Sequence, residues 1–159
     1  MISVRAVNDQ DREWIAAKLV AGWGGPVQAY RGEKVDCLKL RGVVAGNREG
    51  LLIYRPFGAD AFDIVLLEAF ERWEGIGTAL VEALAALASE AGRTRLVVTT
   101  TNDNLDALRF YQDRDFHLVE LRSGAVAAAR QVKPGISVRG YYGLPVRDEI
   151  DLERALSIA

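Results

Sequence analysis

Cysteine occurs once in this chain, at Cys37, and histidine once, at His117. A single cysteine excludes an intrachain disulfide, so a reducing compartment, the cytoplasm, is the easier setting. One residue of each type leaves a His/Cys zinc site short of donors, and no metal is expected. An excess of one charge is missing too. The 20 Lys and Arg stand against 22 Asp and Glu, net −2, which gives no electrostatic footprint for nucleic acid or an anionic membrane as partner. No apolar run approaches the roughly 20 residues that span a bilayer. The opening Met1-Ile-Ser-Val-Arg-Ala6 has neither the charged n-region nor the apolar h-region of a signal peptide.

What is present suits one domain. The chain has 159 residues, half of them hydrophobic, enough for a sizeable core. Ile2 to Ala6 alternates like a strand, and Asp9 or Asp11 is placed to cap a helix running to about Val20. Val27 to Arg31 suggests a short strand, and Val35 to Leu40 is ambiguous. Val43 to Ala45 and Leu51 to Tyr54 flank Gly46-Asn-Arg-Glu-Gly50, a hairpin signature. Phe62 to Phe70 reads as a strand buried on both faces. Ile76, Leu80, Leu84, Leu87 and Ala91 recur at helical spacing until Gly92. Arg95 to Thr100 is a β-branched strand, Leu105 to about Arg114 a helix, and Phe116 to Leu121 a strand. The alternation over 62–121 implies an α/β or α+β sheet with helices packed on it. In the tail, Ala125 to Val132 suggests a short helix. Asp148 is placed to cap a last one, with Glu149 and Asp151 in its first turn.

The informative segment is Arg72-Trp73-Glu74-Gly75-Ile76-Gly77-Thr78, which leaves a buried strand and enters a helix. Two glycines there permit a tight turn and close approach of a ligand. The first helical N–H groups are unpaired, and with the helix dipole they make an anion site suited to pyrophosphate, to which Arg72 and Thr78 add a charge and a hydroxyl. A P-loop needs Gly-Lys-Ser/Thr, but Thr-Ala follows Gly77. The dinucleotide fingerprint expects Gly or Ala where Leu80 stands.

Arg72-x-x-Gly75-x-Gly77 instead resembles the acyl-CoA signature of the GCN5-related (GNAT) acetyltransferases. One helix and one strand later, Asn104-Leu-Asp-Ala107-Leu-Arg-Phe-Tyr111 resembles that family's second motif. Asp115-Phe116 stands where Gly-Phe is usual. The resemblance covers about residues 3–121. It implies a single-domain α/β (α+β) acyl-CoA N-acyltransferase fold over 1–159. Its mixed, mostly antiparallel twisted sheet has helices on both faces and a splayed central strand pair, 62–70 and 95–100. Residues 123–159 form a C-terminal extension packed on the core or on a dimer partner.

The implied cosubstrate is acetyl-CoA, or coenzyme A as product, and the implied acceptor is a small-molecule or peptide amine. Backbone at Leu67 and Ala69 would pair with pantetheine. Arg72, Trp73, Gly75, Ile76, Gly77 and Thr78 would hold the pyrophosphate, and Asn104 and Ala107 would contact the cofactor. Tyr111 would protonate the departing thiolate. Glu68, at the strand end, is a candidate general base, directly or through water, against an exposed strand-end carboxylate. Trp23 is either an acceptor-pocket wall or a loop anchor, and Tyr141-Tyr142 either covers the cleft or packs the tail. His117 is expected at the surface and Cys37 to be buried or at an edge. A non-catalytic acyl-CoA-binding module of the same fold stays open as an alternative, as does a nucleotide-binding domain using the Gly75–Thr78 turn.

Overall fold

The computed structural model describes residues 1–70 and 75–157. Asn8, rather than Asp9 or Asp11, caps the first helical segment. Its side chain accepts from the Gln10 N–H, while Asp11 reaches back to the Asn8 N–H in a reciprocal capping box. That turn leads into α1 (Arg12–Trp23). The strands are β1 (Val4–Ala6), β2 (Val27–Tyr30), β3 (Glu33–Asp36), β4 (Arg41–Ala45), β5 (Gly50–Phe57), β6 (Ala61–Ala69), β7 (Arg95–Thr101), β8 (His117–Arg122) and β9 (Glu149–Ala155). The remaining helices are α2 (Ile76–Glu90), α3 (Leu105–Gln112) and α4 (Val126–Val132).

Seven strands form one sheet in the order β1-β4-β5-β6-β7-β9-β8, and β2-β3 is a separate hairpin. Every neighbour pair in the large sheet is antiparallel except β6 and β7. Helices cover both faces. On one, Leu80, Val81 and Leu84 of α2 and Tyr111 of α3 pack against Leu52, Ile64, Leu96, Val98 and Leu152. On the other, Ile15 and Leu19 of α1 pack against Val44, Leu51, Ile53 and Leu66.

The sheet opens at its centre. Along β5, Ile53 faces Leu66 and Tyr54 faces Ile64, so Val65 is an extra residue in β6, a β-bulge. Pairing of β6 with β7 runs from Ala61↔Arg95 to Ile64↔Val98 and goes no further. The strands part where the bulge bends β6.

The tail corrects the reading of a helix after Asp148. Residues 149–155 form β9, inserted between β7 and β8. The acidic cluster at its start suggested a helix N-terminus, but the period is two. Ile150 and Leu152 face the α2/α3 side, while Glu149 and Asp151 meet Arg122 on the other.

Candidate active site

Past the bulge, β6 has a free edge. The Phe70 N–H donates to the Glu49 carbonyl at 2.8 Å. In an antiparallel ladder the hydrogen-bonded pairs alternate. Glu68 and Leu66 therefore direct their backbone groups at β5, opposite Leu51 and Ile53. Leu67 and Ala69 direct theirs the other way, to the edge that β7 has left. A ligand with amide groups can add to that edge as a strand would.

Arg72 and Trp73 lie outside the described residues. From Gly75 the junction is defined. Gly75 sits at φ +75° as N-cap of α2, a left-handed conformation that favours glycine. The N–H groups of Ile76, Gly77 and Thr78 open the helix and have no partner within it. Gly77 is needed for a different reason: a Cβ there would stand 2.8 Å from Cε1 of Phe110. The Arg114 guanidinium stacks 3.7 Å from the Phe110 ring centroid. Its Nε donates to the Thr78 hydroxyl at 2.9 Å. Arg114 is thus a cation beside the helix mouth that no spacing rule pointed to.

Asn104 caps α3, its Oδ1 accepting the Ala107 N–H at 3.1 Å. Tyr111 lies two turns on, 6% exposed, its ring edge-on to Phe110 and Phe116. Its hydroxyl has no hydrogen-bond partner among the described residues. Burial, with a smaller contribution from the charge of Asp63, pushes the phenol above its ordinary value. Asp115 adopts φ +67°, the left-handed conformation for which its motif usually supplies glycine. Aspartate tolerates it better than most side chains, and Phe116 still reaches the core.

These parts surround one cleft with two lobes. A cavity of about 240 Å³ is bounded by Glu68, Ala69, Gly77 and Phe110. A second, of about 290 Å³, is bounded by Tyr30, Val65, Thr99, Ala129 and Glu149. Leu67, Asn104, Ala107 and Tyr111 line both, as do Trp23 and Tyr141. The larger lobe has walls from both faces of the sheet, so it passes through the gap between β6 and β7. The Trp23 indole N–H donates to the Glu68 carboxylate, which makes Trp23 both wall and anchor. The Tyr142 hydroxyl donates to Asp106 at 2.6 Å. Asp103, buried, accepts from the Thr101 hydroxyl at 2.5 Å and the Tyr141 N–H at 3.1 Å, and this fixes the tail loop at the cleft rim. Sequence reading missed Tyr30 and Glu149 as walls. Both arrive by long-range folding, without a local motif.

Cys37 is buried, and its thiol is pushed up to about 11 by that burial, with Asp36 adding. His117 is exposed. Among the described residues no group of three or more His, Cys, Asp or Glu is placed to hold a metal ion. No helix there is long and apolar enough to cross a membrane.

The family model described as acetyltransferase (GNAT) family matches residues 10–116. The uncharacterized protein YxbD of Bacillus subtilis (strain 168) is 34% identical over 149 residues, which are 91% of this chain and 93% of YxbD. Solved structures that share the fold include two acetyltransferases. The IAA acetyltransferase from Bacillus cereus ATCC 14579 has TM-score 0.70 at 17% identity, covering 98% of this chain and all of that one. A GNAT family acetyltransferase from Elizabethkingia anophelis with acetyl-CoA bound has TM-score 0.68 at 18% identity, covering 98% of each chain. The chain belongs to the GNAT acetyltransferase family.

Proposed function

We propose that the protein is an N-acetyltransferase that moves the acetyl group of acetyl-CoA directly to a primary amine, in the cytoplasm and as a single 1–159 domain. The observation that carries this reading is the position of Tyr111, a buried phenol whose hydroxyl is unengaged among the described residues, on the wall shared by both lobes.

The residues present fit acetyl-CoA as a substrate. The free edge at Leu67 and Ala69 suits the amides of pantetheine. The open N–H groups of Ile76, Gly77 and Thr78, with Arg114 beside them, suit pyrophosphate. Asn104 spends its Oδ1 on the Ala107 N–H but keeps an unengaged Nδ2 among the described residues, and Ala107 leaves room beside it. Arg72 and Trp73 belong to the same proposed phosphate-binding turn. Acetyl-CoA supplies an activated acyl carbon and a thiolate leaving group.

The amine enters the larger lobe. Glu68, held by Trp23, takes the ammonium proton, directly or through water. The nitrogen–carbon bond forms as the carbon–sulfur bond breaks; Tyr111 delivers a proton to the sulfur, and the second nitrogen proton, lost as the amide forms, returns through water to the phenolate. A phenol whose pKa is raised keeps that proton at neutral pH. The test is CoA-thiol release from acetyl-CoA across a panel of amines, with Tyr111→Phe in parallel. Release that depends on an amine and on the Tyr111 hydroxyl supports the reading. Tight CoA binding with no turnover on any amine points to a binding module instead.

A further inference from the structure

On the reading just given, the acceptor enters the larger lobe, and the walls there bear on its chemistry. We propose that the acceptor is a short diamine, and that Glu149 holds the ammonium that does not react. Among the described residues lining the two lobes, the ionisable groups besides tyrosines are Glu68, Asp106 and Glu149. Among the described residues no Lys, Arg or His lines either lobe. Among the described walls the charged side chains are carboxylates, with Arg122 paired to Glu149 through Oε1 only, and such a lining favours a cationic guest.

Glu149 is the carboxylate in the larger lobe, and it is 2% exposed. Its Oε1 accepts all three donors it meets: the Arg31 N–H at 3.0 Å, Arg122 Nε at 3.1 Å and Arg122 Nη2 at 3.0 Å. Oε2 accepts none. The described side-chain atoms that are both sealed from solvent and unpartnered are Arg55 Nη2 and Asp63 Oδ1. Glu149 Oε2 therefore keeps slight solvent contact, and the space its residue lines is the cleft. Backbone pairing to Thr101 on one side and Arg122 on the other fixes its strand, so the acceptor oxygen is preorganised. A carboxylate oxygen fixed this way, without a donor, matches an ammonium.

Glu68 borders the other lobe. Two basic nitrogens on one small molecule satisfy both carboxylates, one reacting and one anchored. The aromatic rings of Trp23 and Tyr141, which line both lobes, also favour cations. At about 290 Å³ the larger lobe lies at the small end of ligand sites, which suits a short aliphatic chain.

The test compares 1,4-diaminobutane and 1,5-diaminopentane with n-butylamine and n-pentylamine as acceptors. Wild-type kcat/KM should favour the diamine by roughly 10- to 100-fold, the difference lying in KM. Glu149→Gln keeps an oxygen for Arg31 and Arg122 but loses the charge, and it should lower the diamine value roughly 10- to 100-fold more than the monoamine value. Calorimetry of 1,4-diaminobutane against CoA-saturated protein gives a readout free of turnover: the variant should bind at least about tenfold more weakly. If no amine is acetylated but Glu149-dependent diamine binding persists, the transfer reading fails and the diamine site stands. Absence of a diamine preference in wild-type binding or turnover overturns the proposal. So does equal loss on both amine types in Glu149→Gln. Should that variant not fold, wild-type binding of 1,4-diaminobutane against n-butylamine decides alone.

Discussion

The indole N–H of Trp23, at the end of α1, donates to the carboxylate of Glu68, near the end of β6. This bond joins the elements on either side of the cleft mouth and gives Glu68 a fixed orientation. If Glu68 is the base, Glu68→Gln should lower kcat/KM by roughly 100- to 10,000-fold at neutral pH. The deficit should shrink as pH rises toward about 10, where a primary amine loses its proton without help. Trp23→Phe keeps the ring and removes the donor, so its loss should be smaller and of the same pH form. Paired pH–rate profiles decide. A mutant-to-wild-type ratio that stays flat with pH would reduce Glu68 to a structural role.

Gly77 and Phe110 touch where α2 and α3 meet. A methyl group at Gly77 would stand 2.8 Å from the Phe110 ring edge, and Arg114 stacked on that ring restricts its retreat. Gly77→Ala should cost about 1–3 kcal/mol of stability through overpacking. It should also weaken CoA binding by shifting the Phe110 wall. Phe110→Leu in the same chain should return part of both losses. Denaturant titration and calorimetry on the two single variants and the double give the coupling. Strictly additive effects would show that the contact is not what makes glycine necessary.

Most of the secondary structure was legible because it is locally determined. The hairpin at Gly46–Gly50 carries its turn residues, and α2 carries its apolar stripe. The two motifs marked Gly75–Thr78 and Asn104–Tyr111 because each needs particular small or polar residues at fixed spacing. The tail was misread because Glu149 and Asp151 point into the protein, to partners far away in sequence. Arg31 lies 118 residues before Glu149 and donates its N–H to it. Nothing local marks an acidic strand whose inward charges are neutralised from elsewhere, so the dipole rule suggested a helix. The bulge at Val65 was equally invisible, since an extra residue in a strand shows only against the register of its neighbour.

β9 ties β8 to the rest of the sheet. Glu149 and Asp151 also neutralise Arg122, with Asp151 accepting at 2.5 Å and 2.8 Å. A chain ending at Arg122 should therefore lose cooperative unfolding and aggregate, because β7 and β8 would present open edges. Size-exclusion chromatography and a thermal melt check this; a soluble fragment with a sharp transition would show that β9 is dispensable for the fold.

Asp11 carries a pH-dependent share of stability. It accepts from Arg5 Nη1 and Nη2 at 2.7 Å and 2.8 Å, from Arg48 Nε at 3.2 Å and from the Asn8 N–H at 3.0 Å. The Arg5 bonds, helped by the Asn8 N–H and Arg48, outweigh burial, which acts the other way, and hold its carboxyl well below the usual range. A folded pKa below the unfolded value of about 3.9 means that the stabilisation is complete above that pH. It is lost as pH falls below about 4. Arg5 and Arg48 are each more than a third exposed, so solvent screening reduces the value below that of a sealed pair. Asp11→Asn should cost about 1–2 kcal/mol at pH 7, and the gap to wild type should close between about pH 4 and pH 2. An equal gap at pH 7 and pH 2.5 would assign the loss to packing.

Tyr111 is the sharpest test of the chemistry. Its ring is fixed by Phe110 and Phe116, and its hydroxyl is unengaged among the described residues. Tyr111→Phe therefore removes a proton donor and almost nothing else. Turnover should fall by roughly 10- to 1000-fold, since water partly substitutes for a positioned acid. The CoA dissociation constant should hardly move, because pyrophosphate and pantetheine would be held elsewhere. The raised phenol pKa adds a pH signature. Wild-type activity should show no loss from Tyr111 ionisation as pH rises through 10, the ordinary phenol value. Turnover and CoA affinity must be measured on one folded preparation. If both fall together, the phenol is a binding group. If neither falls with a well-matched amine and chemistry limiting the rate, Tyr111 only packs, and the proton reaches sulfur from water.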